Sequence, residues 1–126
     1  MLFSSGIDVI EIDTVKTLID KHGERFLRRA FTEREIAYCL RKADQYRHFA
    51  GKIAAKEAVF KALKTGWNRG IQWNQIEVLN DSAGAPQLFF SGNAEAHISQ
   101  AGFIKHDVSI SHSRTVAAAV VIFYQD

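Results

Sequence analysis

The first 23 residues combine a strand-like pattern with a helix-like one. Residues 2–12 are rich in β-branched side chains and predict a strand with one buried face, on which Asp8 lies with the isoleucines two and four positions later. Asp13 is the expected N-cap of a first helix, and Gly23 is its expected end. A carboxylate therefore interrupts the apolar face of the first predicted strand.

Helical periodicity dominates the next forty residues. Thr32 and Glu35 have the spacing of a capping box, which favours a helix that starts directly after Thr32. The most regular apolar stripe begins at Phe49 and predicts a long helix without an internal breaker, with Gly66 as its stop. The predicted helices cover residues 24–30, 33–43 and 49–64.

The pattern becomes extended after the long helix. A turn-rich segment, residues 80–86, separates two short apolar runs and predicts a hairpin, and a weaker helix follows at residues 93–100. Strands are predicted at residues 76–79, 87–90, 108–111 and 115–124. This order of elements predicts an α+β fold, a single domain in which an antiparallel sheet packs against one long and several shorter helices.

Composition and charge narrow the function classes. The 126 residues are 47% hydrophobic and carry a net charge of +2, which predicts one globular domain and indicates neither nucleic-acid nor membrane binding. Basic residues are concentrated between Lys16 and Arg69, where the local charge is +8. We therefore expect this segment to present a positive surface to an anionic partner.

Cysteine usage and hydropathy indicate the compartment. Cys39 is the only cysteine, which excludes an internal disulfide and a cysteine-based zinc site and fits a reducing cytoplasm best. The first residues lack the basic start and continuous apolar core of a signal peptide. The longest apolar run, residues 116–124, is too short to span a membrane. A cytoplasmic location is expected.

Glu57 interrupts the apolar stripe of the long helix, because it lies four residues after Ile53 and three before Phe60. A buried carboxylate is costly unless a cation or hydrogen-bond donors compensate it, and Lys61, one turn later, is the expected partner. The alternative is a surface ion pair at the edge of the stripe. Asp8 has its own alternative, an aspartate that caps a turn at the strand end. Two inward carboxylates on different elements suit a hard divalent cation such as magnesium.

Residues 109–114 bring hydroxyls, an imidazole and a guanidinium into a strand end and turn, which suits a phosphate. A nucleophilic pair of Ser111 and His112 is a rival interpretation, but neighbours on a strand point to opposite faces. Hydroxyls on a solvent-facing strand remain a third interpretation. Trp67 and Trp73, after the long helix, are expected to pack in the core.

Several motifs in register resemble the holo-[acyl-carrier-protein] synthases, the short single-domain class of 4′-phosphopantetheinyl transferases. The similarity covers almost the whole chain and is strongest in the long helix, around Lys56, Glu57 and Lys61. The matching segments are residues 6–12, 25–26, 31–35, 49–63, 65–66, 76–78, 84–86 and 108–113.

The resemblance implies a reaction and a set of site residues. A serine hydroxyl of an apo acyl carrier protein attacks the β-phosphate of coenzyme A, which delivers 4′-phosphopantetheine and releases adenosine 3′,5′-bisphosphate. By resemblance, the catalytic residues are Glu57 and Lys61, and Mg²⁺ is bound by Asp8 and Glu57. The predicted coenzyme A residues are Lys52, Lys61, Thr65, Gly66, His112 and Ser113. The positive charge between Lys16 and Arg69 predicts that the acidic carrier protein is contacted by Lys16, Arg25 and Arg28. A homotrimer in the service of fatty acid biosynthesis is also implied.

Two points stay open at the sequence level. The proton of the attacking serine goes to Glu57 or to a water on the metal. The chain also departs from the family at three positions: Thr14 and Lys52 replace arginines, and Lys64 replaces a glycine. Thr14 removes a charge from the expected carrier-protein surface, and Lys52 keeps its charge but loses a bidentate donor.

Two other classes use some of the same features. A non-enzymatic nucleotide- or nucleic-acid-binding module explains the basic segment, but not two inward carboxylates, which repel phosphate unless a metal intervenes. A metal-dependent phosphoester hydrolase uses the same acids with water as the nucleophile. Transfer to a carrier protein, with no nucleic acid or membrane partner, accounts for both the basic segment and the two inward carboxylates.

Overall fold

The computed structural model describes residues 2–64 and 70–126. It confirms the predicted α+β class and the predicted order of strand, helices and mostly strands. A short 3₁₀ helix, Trp73–Gln75, leads into the hairpin. The helices are α1 (Ile12–His22), α2 (Glu24–Ala30), α3 (Glu33–Leu40), α4 (Gln45–Leu63) and α5 (Gly92–Gln100). The strands are β1 (Phe3–Glu11), β2 (Ile76–Asn80), β3 (Pro86–Phe90), β4 (Lys105–His112) and β5 (Val116–Tyr124).

Two antiparallel sheets surround the long helix α4. The larger sheet has the strand order β1-β5-β4, and the smaller one is the predicted hairpin β2-β3. Alanines at five positions of α4 are buried and allow close packing, while the apolar side chains of α1, α2 and α3 cover another side of this helix. Most of α4 is therefore buried, and its polar residues are placed inside the molecule.

Gly6 sets the distance between β1 and α4. A Cβ atom at this position would lie 2.0 Å from the carbonyl oxygen of Ala58 and 2.7 Å from the amide nitrogen of Ala62, so only glycine fits. The Ser4 hydroxyl donates a hydrogen bond of 2.6 Å to the carbonyl of Ala62. Asp8 lies on the same face of β1 as Gly6. The backbone contact at Gly6 therefore places Asp8 directly against α4.

Helix boundaries differ from the prediction at three ends. Glu11, and not Asp13, is the N-cap of α1, because the amide of Ile12 already donates to the carbonyl of Thr115 at 2.9 Å. The capping box of Thr32 and Glu35 is confirmed. The helix that follows it ends at Leu40, three residues early. Helix α4 begins four residues before the predicted start, because the Asp44 side chain accepts a hydrogen bond from the Arg47 amide.

Helix α4 ends at Leu63 with Lys64 as its C-cap in the left-handed conformation (φ 62°, ψ 28°), while the predicted stop, Gly66, lies outside the described residues. This conformation costs an L-residue about 1–2 kcal/mol, and glycine adopts it freely. We predict that Lys64→Gly raises the free energy of unfolding by up to about 1 kcal/mol, since the flexibility of glycine in the unfolded chain offsets part of the gain. Urea denaturation measures the change, and a loss of stability would contradict it.

Candidate active site

Strand β1 and helix α4 bring Asp8, Glu57 and Lys61 to one place. The Lys61 ammonium donates to the Asp8 carboxylate and to the carbonyl of Ile7, each at 3.0 Å. The predicted ion pair between Lys61 and Glu57 is therefore wrong, because the close contact at Gly6 puts β1 within reach of the lysine. Asp8 faces inward as predicted, with 16% of its side chain exposed. Among the described residues it accepts from Lys61 rather than capping a turn.

Glu57 is half-buried and accepts a hydrogen bond of 3.3 Å from the indole nitrogen of Trp73. Burial raises the pKa of this carboxyl group, the charge of Asp8 raises it further, and the Trp73 hydrogen bond and Lys61 oppose the shift. The negative charge of Asp8 therefore acts on Glu57, which places the two carboxylates in the same electrostatic environment. Trp73 was predicted to pack in the core, and its ring does pack edge-on against Phe26, but it also contacts the acid.

A divalent cation fits this pair of acids by its chemistry. Two carboxylates from separate elements, Asp8 on β1 and Glu57 on α4, provide hard oxygen ligands, and repulsion between them is relieved by a cation. No group of three or more histidine, cysteine, aspartate or glutamate ligands occurs within the described part of the chain. Mg²⁺ usually takes one or two protein carboxylates and completes its shell with phosphate oxygens and water. The two acids therefore fit magnesium bound together with a phosphorylated substrate.

A cleft of about 400 Å³ opens at the N-terminal half of α4. Lys52 lies at its floor, almost fully buried, and donates to the carbonyl of Val78 at 2.6 Å and to the Asn80 side chain at 2.8 Å. Burial lowers the pKa of this lysine. The cleft is lined by Tyr38, Arg47, His48, Gly51, Lys52, Asn80, Gly84, Pro86, Ile110 and His112. Its cationic side chains suit an anionic ligand.

Of the predicted coenzyme A residues, Lys52 and His112 meet in this cleft, where the rings of His48 and His112 lie 6.1 Å apart. Ser113 shapes the adjacent turn, because its hydroxyl accepts hydrogen bonds of 3.3 Å from the amides of Thr115 and Val116. Thr65 and Gly66 lie outside the described residues. Arg47 and His48 are cleft residues that sequence reasoning missed, although their position one turn before Lys52 on the same helix was a usable signal.

The predicted carrier-protein residues lie on α1 and α2 and are exposed. Arg28 is partly neutralised, since its guanidinium lies 3.8 Å from Glu24 and 3.5 Å from Glu33. Arg25 and Lys16 make no ion pair with another described residue, although Lys16 lies over the Tyr46 ring at 5.6 Å. The charge of +8 is not wholly at the surface, because Lys52 and Lys56 are buried.

A buried ion pair, which was not predicted, is made by the residue that precedes Glu57 on α4. The Lys56 ammonium contacts the Glu35 carboxylate at 2.7 Å, and neither side chain is exposed. Lys56 also donates to the carbonyls of Ala30 and Trp73, and Glu35 accepts from the amide of Val78 at 2.7 Å. Burial lowers the pKa of Lys56, and the charge of Glu35 opposes this. This network ties α2, α3, β2 and the 3₁₀ helix to α4.

Two further features bear on the chemistry. Cys39 is fully buried, and burial raises the pKa of its thiol to about 12, so it is a poor nucleophile. None of the described helices is long and apolar enough to cross a membrane.

Comparison with known proteins identifies a family. A family model described as the 4′-phosphopantetheinyl transferase superfamily matches residues 4–120. A holo-[acyl-carrier-protein] synthase of Solibacter usitatus is 37% identical over 122 residues, which cover 97% of this chain and 98% of that protein. One from Chlamydia trachomatis is 42% identical over 121 residues, covering 96% and 98%.

Solved structures of such synthases are similar in fold. The Helicobacter pylori enzyme in complex with coenzyme A has a TM-score of 0.83 at 28% identity, covering 94% of this chain and 98% of that one. The Bacillus anthracis enzyme in complex with CoA (3′,5′-ADP) has a TM-score of 0.78 at 33% identity, covering 98% and 96%.

Proposed function

The chain belongs to the 4′-phosphopantetheinyl transferase superfamily, and we propose that it is a holo-[acyl-carrier-protein] synthase. In this proposal, a serine hydroxyl of an apo acyl carrier protein attacks the β-phosphate of coenzyme A, and adenosine 3′,5′-bisphosphate leaves. One observation supports it above others. Asp8 and Glu57 converge beside Lys61, and a cationic cleft opens along the same helix.

The layout of α4 suits a ligand with two separate phosphate groups. Lys52 and Glu57 are five residues apart, which corresponds to about 7.5 Å along the helix axis. The cleft around Lys52 and His112 would receive the nucleotide phosphate, and the acids would face the pyrophosphate. Gly51 lines the same cleft, and a Cβ at position 51 would lie 3.1 Å from the Ile110 side chain, so β4 packs closely against α4 beside Lys52.

Asp8 and Glu57 would hold magnesium, which when bound neutralises charge on pyrophosphate oxygens. Lys61 would bind a phosphate oxygen after its ammonium leaves Asp8, and its long side chain, which is 58% exposed, can make that movement. Glu57 is the proposed acceptor for the proton of the attacking serine, because burial raises its pKa towards the working range of a general base. The remaining requirement is alignment of two reactants, which the cleft and the carrier-protein surface provide.

Mass spectrometry of an apo carrier protein tests the function. The protein is incubated with coenzyme A, magnesium and the carrier, and a phosphopantetheine adduct on the carrier is expected. A carrier with its acceptor serine replaced by alanine is the control. Cleavage of coenzyme A without an adduct would indicate hydrolysis, and intact coenzyme A would indicate a binding protein; either result contradicts the proposal.

The exposed cations of α1 and α2 are proposed to attract the acidic surface of the carrier protein. Arg25→Glu is expected to raise the Michaelis constant for the carrier several-fold without much change in turnover number. Arg28→Glu is expected to have a smaller effect, because Glu24 and Glu33 already neutralise Arg28. Added salt should act in the same direction, since exposed charges are screened over roughly 8 Å at physiological ionic strength.

The control for this prediction is Gln100→Glu, which adds an exposed negative charge on α5, outside the basic segment. Steady-state kinetics with the carrier and coenzyme A varied separately measure the effect. Carrier dependence that responds to neither salt nor Arg25→Glu would show that recognition lies elsewhere.

A homotrimer is proposed because the outer face of the larger sheet is apolar and exposed. Ile7 and Val9 on β1 are 62% and 61% exposed, and Val120 and Ile122 on β5 are 36% and 39% exposed. Contact with further copies would bury this face. Sedimentation at micromolar concentration is expected to give a trimer, and Val9→Lys a smaller species. A wild-type monomer would contradict the proposal.

We also propose a cytoplasmic location and a role in fatty acid biosynthesis. A buried, unpaired Cys39 suits the reducing cytoplasm. Fatty acid biosynthesis is the proposed use, and modification of a fatty-acid carrier in preference to carriers of specialised pathways tests it.

A further inference from the structure

Trp73 connects the scaffold of the molecule to one of the two acids. Its indole N–H donates to Oε2 of Glu57 at 3.3 Å, while no described residue donates to Oε1. We infer that Trp73 is a positioning residue that orients the Glu57 carboxylate so that its other oxygen faces the metal. This inference rests on the proposed function, because it takes Glu57 as a metal ligand.

Lys56, which precedes Glu57 on α4, holds the backbone of Trp73 in place. The buried Lys56 ammonium donates to the main-chain carbonyl of Trp73 at 3.1 Å and is held in turn by Glu35. Residue 56 thus holds the backbone of residue 73, and the ring of residue 73 holds the side chain of residue 57. Lys56 and Glu57 are adjacent residues of α4. Because both contact Trp73, movement of the 3₁₀ helix relative to α4 is restrained at this point.

Ring packing supports the same assignment. The Trp73 ring lies edge-on to Phe26, with centroids 6.2 Å apart and planes at 82°. The 3₁₀ helix that begins with Trp73 is also anchored beyond it, because the carbonyl of Gln75 accepts from the amide of Ser91 at 3.0 Å. The Phe26 contact and the hydrogen bond at Gln75 thus restrain the ring of Trp73 and the 3₁₀ helix that carries it.

The chemistry of the donor suits a metal ligand. The indole N–H is neutral, so it orients an oxygen of Glu57 without cancelling the negative charge that a cation requires. Lys61 acts differently, because it places a full positive charge on Asp8 at 3.0 Å. Asp8 is thus held by the charge of Lys61, which a metal has to displace. Glu57 is held by the indole N–H of Trp73, which can remain in place when a metal binds. Metal ligands are commonly oriented by such outer hydrogen bonds.

Trp73→Phe removes the N–H donor and keeps an aromatic ring. We expect the magnesium concentration for half-maximal transfer to rise about tenfold, the usual effect of losing an outer hydrogen bond to a metal ligand, while the Michaelis constant for the carrier protein stays the same. Calorimetry of Mg²⁺ binding to the protein with coenzyme A is expected to show the same weakening. The control, Phe26→Leu, loosens ring packing but keeps the N–H, and should lower the melting temperature while changing the magnesium requirement much less than Trp73→Phe does.

A spectroscopic arm tests the hydrogen bond without any activity. In a Trp67→Phe background Trp73 is the only tryptophan, so its indole N–H gives one resonance in a ¹⁵N-labelled, metal-free protein. Glu57→Gln replaces the charged acceptor by a neutral one and is expected to move this resonance upfield. A resonance that Glu57→Gln leaves in place would overturn the inference.

An unchanged magnesium affinity in Trp73→Phe would also overturn the inference. So would an equal weakening in Phe26→Leu, since packing alone would then explain the effect. The proposed function fails in a different way, by the absence of an adduct with the wild-type protein. Calorimetry and the indole resonance still decide the role of Trp73 in that case.

Discussion

Conversion of either proposed metal ligand to its amide, Asp8→Asn or Glu57→Gln, is expected to lower phosphopantetheine transfer roughly a hundredfold or more with the fold intact. Each change removes a carboxylate from the cation site, and Glu57→Gln also removes the proposed proton acceptor. Transfer rates at limiting and saturating magnesium measure the loss. Near-normal activity of either variant at limiting magnesium would refute the assignment.

The two variants should differ in stability. Burial raises the pKa of Glu57 in the folded protein, so its ionisation at neutral pH opposes folding, and Glu57→Gln is expected to be at least as stable as the wild type. Asp8→Asn removes the ionic partner of Lys61 and is expected to be slightly less stable. Glu95→Gln, an exposed change on α5, is the control for both measurements.

Lys56→Met is expected to cause the largest loss of stability, about 3–5 kcal/mol, because it leaves the Glu35 carboxylate buried without its cation. Glu35→Gln in the same chain should restore part of this loss, since a neutral amide needs no cation. Urea denaturation at fixed protein concentration measures the free energy of unfolding.

Arg28→Met is the matched control for Lys56→Met, because it also replaces a cation by methionine but breaks exposed ion pairs. Its expected cost is below about 1 kcal/mol. If Lys56→Met cost no more than Arg28→Met, the buried pair would have no special role in holding α4.

The sequence predicted correctly those features that depend only on residues close together in the chain. The capping box at Thr32 needs only residues three apart, and the inward face of Asp8 needs only strand alternation. The partners of these residues depend on contacts across the fold. Lys56 and Glu57 both fall within the helical stripe, and periodicity alone does not separate the fully buried lysine from the half-buried acid.

The two main errors at the site have the same origin. Lys61 was paired with Glu57 because both lie on one helix face, but β1 approaches closely enough to offer Asp8 and the carbonyl of Ile7. Trp73 was assigned to the core from its size, and its single polar atom found a carboxylate sixteen residues away. Side chains with both an apolar body and a polar tip are assigned correctly only once their tertiary neighbours are known.

The backbone contact at Gly6 has a consequence for how the chain can diverge. Because a carbonyl and an amide of α4 occupy the space of a side chain there, β1 cannot slide along α4, and a one-residue insertion before Asp8 would turn its carboxylate to the opposite face. The contact therefore restrains where β1 places Asp8 against α4. The outer faces of α1 and α2 lie away from this contact, whereas Gly84 of the hairpin turn lines the cleft around Lys52. Sequence change on the proposed carrier-protein surface of α1 and α2 would therefore leave the placement of Asp8 against α4 unaltered.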